Sequence, residues 1–252
     1  MPLLAYGVDG AVFHAWAMSP SAWEELKVSY RDRGLTAPCC GAAVVPVRSP
    51  TGWQFFRHKP NTVCAVRESL THIVCKSIMA RAAVRLGLDV TTEARADDGA
   101  WVADVLVRHP DRTVALEAQL SRIPLAAIQD RQERYRQAGI RGAWLVGYDI
   151  AGFEARRDLP LFRLEVKQAE RLEPAVIGSP TAGAPGRTEL GKFMAGVEFL
   201  GNSSGLELLH ERWKRVALLV RRGRRGRCSI SEHLRPGCRV RGRLVVVPDI
   251  LQ

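Results

Sequence analysis

Residues 101–121, "WVADVLVRHPDRTVALEAQLS", decide the fold. They read as two apolar strands joined by a polar turn at His109-Pro110-Asp111, yet each strand carries a carboxylate among its aliphatics: Asp104 beside Val105 and Leu106, and Glu117 beside Val114 and Leu116. Burying an unpaired charge costs several kcal/mol, so each carboxylate needs a partner. In an antiparallel hairpin the two side chains can share one face near one end, and the period of two in a strand returns Gln119 to the face of Glu117. Two carboxylates in contact do not both stay ionised unless a proton or a cation lies between them, and a hard divalent cation such as Mg2+ is the usual solution. Asp104 and Glu117 are therefore the first metal-ligand candidates, with Gln119 beside them.

Upstream, "VRESLTHIVCKSIMARAAVRLG" (66–87) has helical periodicity, with Leu70, Ile73, Val74, Ile78 and Ala82 on one side and Gly87 at the C-cap. Glu68, His72 and Lys76 recur every four residues along the border of that face, so a helix packed beside the sheet can aim Glu68 at the metal. Cys75 falls within the apolar stripe and reads as core. "DVTTEAR" (89–95) is a further strand, ended by Asp97-Asp98-Gly99, and Glu93 near its end is another candidate. Downstream, a helix is expected from about Pro124 to Ala138, stopped by Gly139, and "AWLVG" (143–147) is a strand buried on both faces. The order is helix, three strands, helix, strand, an α/β arrangement.

At the N-terminus, "LLAYG" and "AVFHAW" form a hairpin around Asp9-Gly10, and "SPSAWEEL" opens a helix with Ser21 and Glu24 spaced as a capping box. Residues 36–64 are turn-rich and hold three of the six cysteines, as a small metal-ribbon-like module would. After Tyr148, "LFRLEV" (161–166) is a strand candidate and "GSPTAGAPGR" (178–187) a linker, while 189–200 and 206–222 have the texture of helices. The expected organisation is an N-terminal hairpin, helix and ribbon over 1–65, an α/β unit over 66–150, and a helical, arginine-rich region over 151–252.

With 252 residues, 46% of them hydrophobic, the chain can bury a sizeable core. No run has the length of a membrane span and no leader is seen, so a cytoplasmic protein with reduced cysteines is expected. The formal charge is +11, and residues 205–252 carry twelve Lys/Arg against four Asp/Glu. That concentration of positive charge points to a polyanion partner, with DNA the foremost, gripped by Arg221, Arg222, Arg224 and Arg225 through its backbone.

The pattern "CG…FFRH…C…ES…H…K…E…ADV…LEAQLS…R…Y…GI…AWLV" resembles the competence protein CoiA-like family, whose central domain belongs to the PD-(D/E)XK nuclease superfamily with its restriction-endonuclease-like αβββαβ core. The resemblance covers roughly residues 36–147 and is densest from Glu68 to Trp144. It implies Asp104 as motif aspartate, Glu117 as motif glutamate, Gln119 in the usual lysine position and Glu68 as the first-helix glutamate, all catalytic. Arg131 and Tyr135 match positions that contact DNA or buttress the site, and Lys76 is placed with the DNA-binding groups.

The implied activity is DNA phosphodiester hydrolysis with Mg2+ or Mn2+ on Asp104 and Glu117, in the processing or recombination of incoming DNA, with recombination or DNA-uptake proteins as partners. A catalytically silent nucleic-acid-binding protein of the same fold is the alternative. Family members also open the ribbon with C-x-x-C and close it with H-F-x-H, a zinc pattern. Here Ala37 and Phe55 stand at two of those positions, leaving Cys40, His58 and Cys64 as Zn2+ ligands, with Cys39 awkwardly adjacent to Cys40.

Overall fold

The computed structural model describes residues 1–65, 68–150 and 158–166 in full, and the backbone of 175–177 and 187–189. Within them lie α1 (Pro20–Ser29), α2 (Leu70–Arg85), α3 (Leu125–Gln137) and eleven strands: β1 (Leu4–Tyr6), β2 (Val12–His14), β3 (Val44–Arg48), β4 (Gln54–His58), β5 (Asp89–Arg95), β6 (Val102–His109), β7 (Arg112–Gln119), β8 (Ile140–Val146), β9 (Leu161–Glu165), β10 (Ala175–Ile177) and β11 (Arg187–Glu189).

The strands from β5 onward form one mixed sheet in the order β11-β10-β9-β8-β7-β6-β5. β5, β6 and β7 are antiparallel neighbours, as tight turns require, while β8 runs parallel to β7 because α3 carries the chain back across the sheet. β9 adds in parallel to β8, so the expected four-strand unit is one end of a wider sheet, with β5 at its edge. α2 packs on one face, with Ile73, Cys75 and Met79 against Val105, Val107, Val114 and Leu116. α3 packs on the other, with Ile128 and Tyr135 against Leu106, Ala115 and Trp144. The first cluster also takes in Leu3, Trp23 and Phe56, so the N-terminal hairpin, α1 and β4 close over the α2 side.

Two helix starts differ from the sequence expectation. α1 is capped by Ser19, whose Oγ accepts from Ala22 N, with Pro20 in the first turn. Proline suits that place because its missing N–H would have no intrahelical acceptor. Ser21 thus lies inside the helix, and Glu24 pairs with Lys27 and Arg48 instead of capping. α2 begins at Leu70 behind Ser69, whose Oγ accepts from His72 N, so Glu68 precedes the helix rather than standing on its stripe. Gly87, at φ +75°, ends α2 in the left-handed region where a side chain is strained.

β5 carries one irregularity. The β5–β6 ladder runs from Thr92↔Val105 to Ala94↔Ala103 and skips Glu93, whose φ is +56°. Val90 belongs to the cluster under α2 but Ala94 to the one under α3, although a regular strand would put both on one face. The strand therefore changes face at Glu93, opposite Asp104. The expected linker at 178–187 and helix at 189–200 run into β11 at Arg187 and Glu189; the rest of both, the expected helix at 206–222, and Arg221, Arg222, Arg224 and Arg225 lie outside the described residues. Among the described residues no helix is long and apolar enough to cross a membrane.

Candidate functional site

The ladder between β6 and β7 stops at Val105↔Leu116. Beyond that pair Ala118 N donates to the side chain of Asp104, at 2.9 Å to Oδ2, so a carboxylate occupies the place of a backbone acceptor. The strands part there, and the opening is a cleft of about 630 Å3 lined by Glu68, His72, Glu93, Asp104, Glu117 and Gln119, with Arg95 and Arg131 also in its wall.

Asp104 and Glu117 reach this cleft from opposite faces of the sheet, which corrects the expectation of one shared face. The reason is that β6 itself changes face here, Ala103 belonging to the cluster under α3 and Val105 to the one under α2, opposite the similar change in β5 at Glu93. On the α2 side, His72 Nε2 donates to Asp104 Oδ2 at 2.9 Å, and His72 Nδ1 lies 3.4 Å from Glu68 Oε1. Lys76 Nζ donates to Glu68 and to Glu93, both at 2.7 Å, and Glu93 also accepts from Leu3 N. On the α3 side, Glu117 is held by Arg131 Nη2 at 2.5 Å and by the Tyr135 hydroxyl. Arg131 in turn lies over the Trp144 ring, 4.8 Å from its centroid. Gln119 Nε2 donates to Ser121 O at 2.6 Å, at the cleft edge.

The electrostatics follow from these partners. Burial works to raise the Asp104 carboxyl, but His72, Lys76 and the Ala118 N–H outweigh it and hold it well below the usual carboxylate range. Burial alone would neutralise His72, yet Asp104 and Glu68 push it up to about 10, so the pair is an imidazolium on a carboxylate. Glu117 behaves oppositely: burial and the Asp104 charge raise it to about 7 against the pull of Arg131 and Tyr135. Burial also raises Glu93. Glu68 is lowered, because Lys76 and His72 overcome its desolvation.

Two residues assigned to DNA contact are corrected. Lys76 is 0% exposed and neutralises two carboxylates inside the protein, since a buried ammonium without such partners would not persist. Tyr135 is also 0% exposed and does not reach DNA; of its two expected roles it takes the buttressing one, donating to Glu117. Arg131 faces the cleft but is engaged by Glu117. His72 was weighed in the sequence only as part of a polar stripe, and its role beside Asp104 was missed. Its spacing from Glu68 was the available signal, and which strand it meets is tertiary information.

Two clusters could hold a metal. Glu68, His72 and Asp104 offer ligand atoms within 4.8 Å of one another, a set without Glu117. Glu68 Oε2 has no hydrogen-bond partner there, its facing charge being the N-terminal ammonium at 3.9 Å; with the His72 proton displaced, two carboxylates and an imidazole are a donor set that fits a divalent cation. The second is Cys39, Cys40, His58 and Cys64, again within 4.8 Å. Cys39 and Cys40 sit on the turn before β3, His58 ends β4, and Cys64 follows it. Sγ of Cys40 is 3.2 Å and that of Cys39 3.5 Å from His58 Nε2, and Cys64 Sγ is 3.6 Å from Cys39 Sγ. The expectation that adjacent Cys39 and Cys40 would exclude each other is corrected: both thiols lie within 4.8 Å of the His58 and Cys64 ligand atoms.

No curated protein and no solved structure matches the chain. From Glu68, ahead of α2, to Leu164 in β9, the stretch that builds the cleft, the chain matches the family model described as the competence protein CoiA nuclease-like domain.

Proposed function

We propose that the protein hydrolyses DNA phosphodiester bonds in the cleft where β6 and β7 part, using a restriction-endonuclease-like core in the processing or recombination of incoming DNA. The observation that carries this reading is that Asp104, Glu117 and Gln119, from the diverging ends of two strands, line one cleft with Glu68 and His72. Asp104, with Glu68 and His72, would hold Mg2+ or Mn2+, and Glu117 would join them only on release from Arg131. When bound, such an ion polarises a phosphate and acidifies a water.

The chain's own residues do the rest. Asp104 stays ionised at neutral pH and is 17% exposed, so it is available to a cation. Arg131, one-third exposed and set against Glu117, can turn its charge to a phosphate oxygen. Gln119 has no titratable proton near neutral pH, so it can orient a water or a phosphate by hydrogen bonding but not neutralise it. Zn2+ in the Cys39, Cys40, His58 and Cys64 cluster would be structural, since three thiolates and an imidazole complete a closed tetrahedral set. Cys39 also lines the cleft, so that module forms part of its wall.

One observation favours the alternative, a silent nucleic-acid-binding protein: both Glu117 oxygens are already engaged, by the Arg131 guanidinium and the Tyr135 hydroxyl. Incubation of the full chain with single-stranded and duplex DNA in Mg2+, Mn2+ or EDTA, beside Asp104→Ala, separates the two. Metal-dependent cleavage lost in the variant supports hydrolysis, and binding without cleavage selects the alternative.

A further inference from the structure

A second groove opens beside the cleft. It has a volume of about 600 Å3 and is lined by Arg95, Asp97, Asp98, Trp101, Arg134 and Gln137 among others. Arg95 also lines the cleft of Asp104 and Glu117, so the two depressions meet at one guanidinium. Arg95 is exposed, and its side chain makes no hydrogen bond or ion pair among the described residues. Trp101 is half-buried, its ring 5.9 Å from that of Tyr135, the residue that holds Glu117. Arg134 is exposed and steadied by carbonyl oxygens, Ala100 O at 3.4 Å and Asp130 O at 3.3 Å. Two guanidinium groups flanking an indole, in a groove continuous with a phosphate-cutting cleft, match the needs of an unpaired polynucleotide: charge for its phosphates and a flat apolar face for a base.

We infer that the strand cut in the cleft continues past Arg95 into this groove as single-stranded nucleic acid, with a base stacked on Trp101 and flanking phosphates on Arg95 and Arg134. The inference rests on the hydrolytic reading above for the polymer and adds its strandedness. In a duplex each base face is covered by its neighbours, so no face is free for an indole. The acidic residues of the groove fit the same division. Asp98 Oδ1 closes its own turn by accepting from Ala100 N at 2.9 Å. Asp97 repels phosphate but accepts from base amino groups, so it borders the base and not the backbone.

The test uses the full chain in EDTA, where nothing is cut, with labelled oligo-dT, oligo-rU and a duplex of equal length at fixed salt. Single strands are expected to bind more tightly than the duplex and to quench tryptophan emission. Trp101→Leu should weaken single-strand binding about tenfold and remove the quenching. Arg95→Ala, at an exposed side chain, should weaken it several-fold and lower the salt dependence by about one ion. Comparing oligo-dT with oligo-rU identifies which sugar the groove accepts. Wild-type affinity for single strands in both variants would overturn the inference, and Arg95→Ala decides alone should Trp101→Leu fail to fold. Asp104→Ala should keep strand binding, so a wild-type protein that binds single strands without cutting them would sink the hydrolytic proposal and leave the groove standing.

Discussion

The two faces of the parting strands treat the same chemical group in opposite ways. Under α2, Asp104 meets a backbone N–H, an imidazolium and the nearby Lys76, and is held fully ionised. Under α3, Glu117 is 2% exposed, faces the Asp104 charge across the gap, and is raised to about 7 despite Arg131 and Tyr135. Both side chains have hydrogen-bond partners, so pairing alone does not set the charge state. What differs is the balance of donors against desolvation and like charge. The α2 face gathers cations around its carboxylates from within the protein, whereas the α3 face supplies one arginine from the rim.

That contrast orders the effects of substitution. The largest is expected at Lys76, where Lys76→Met leaves Glu68 and Glu93 buried without a cation. A loss of about 3–5 kcal/mol in chemical denaturation, or failure to fold, is the expected outcome, and a loss below about 1 kcal/mol would remove the special standing of the α2 face. Asp104→Asn follows, at about 3 kcal/mol in the metal-free protein, because it leaves His72 charged with a neutral partner. Glu117→Gln should cost only about 1 kcal/mol, since its carboxyl is already partly protonated near neutral pH. Equal losses at the two carboxylates would break the comparison.

The pH dependence sharpens it. His72 is raised from 6.5 to about 10, so its contribution is full below about pH 6.5 and is lost as pH rises to 10. Glu117, raised from 4.5 to about 7, adds a cost that develops across that interval. Asp104, lowered from 3.8, contributes above that value and loses its contribution in stronger acid. Thermal melts in EDTA should therefore show greatest stability in mild acid and a decline toward pH 10, and His72→Gln should flatten the alkaline part. The smallest effect on the cleft is expected from the ribbon: the purified protein should carry one zinc, Cys64→Ser should lower its retention in a chelator competition, and stability should fall less than for Lys76→Met.

Much of this was legible before any coordinates. The strands at 89–95, 102–109 and 112–119 and the helix after Pro124 stand within about a residue of their expected limits, because alternation, turn residues and proline are local signals. The Ser19 cap of α1 was legible too, from the Ser-Pro pair, but a competing capping box was preferred. Glu93 was harder. Nothing in "TTEAR" marks a residue forced to positive φ, a conformation costing about 1–3 kcal/mol and held here by Lys76 and Leu3 N. Equally silent is the change of face in β6 between Ala103 and Val105, which turns Asp104 away from the face of Glu117.

The sequence by itself determined the succession of helices and strands, the identity of the two strand carboxylates and the gathering of thiols before β3, because each is set by neighbours within a few residues. The tertiary structure alone decided which helix each carboxylate answers to, that Lys76 lies inside the protein, and that four ribbon ligands share a centre. Charge states and ligand sets depend on distances between segments far apart in the chain, such as the 32 residues between His72 and Asp104, and those distances exist only once the chain has packed.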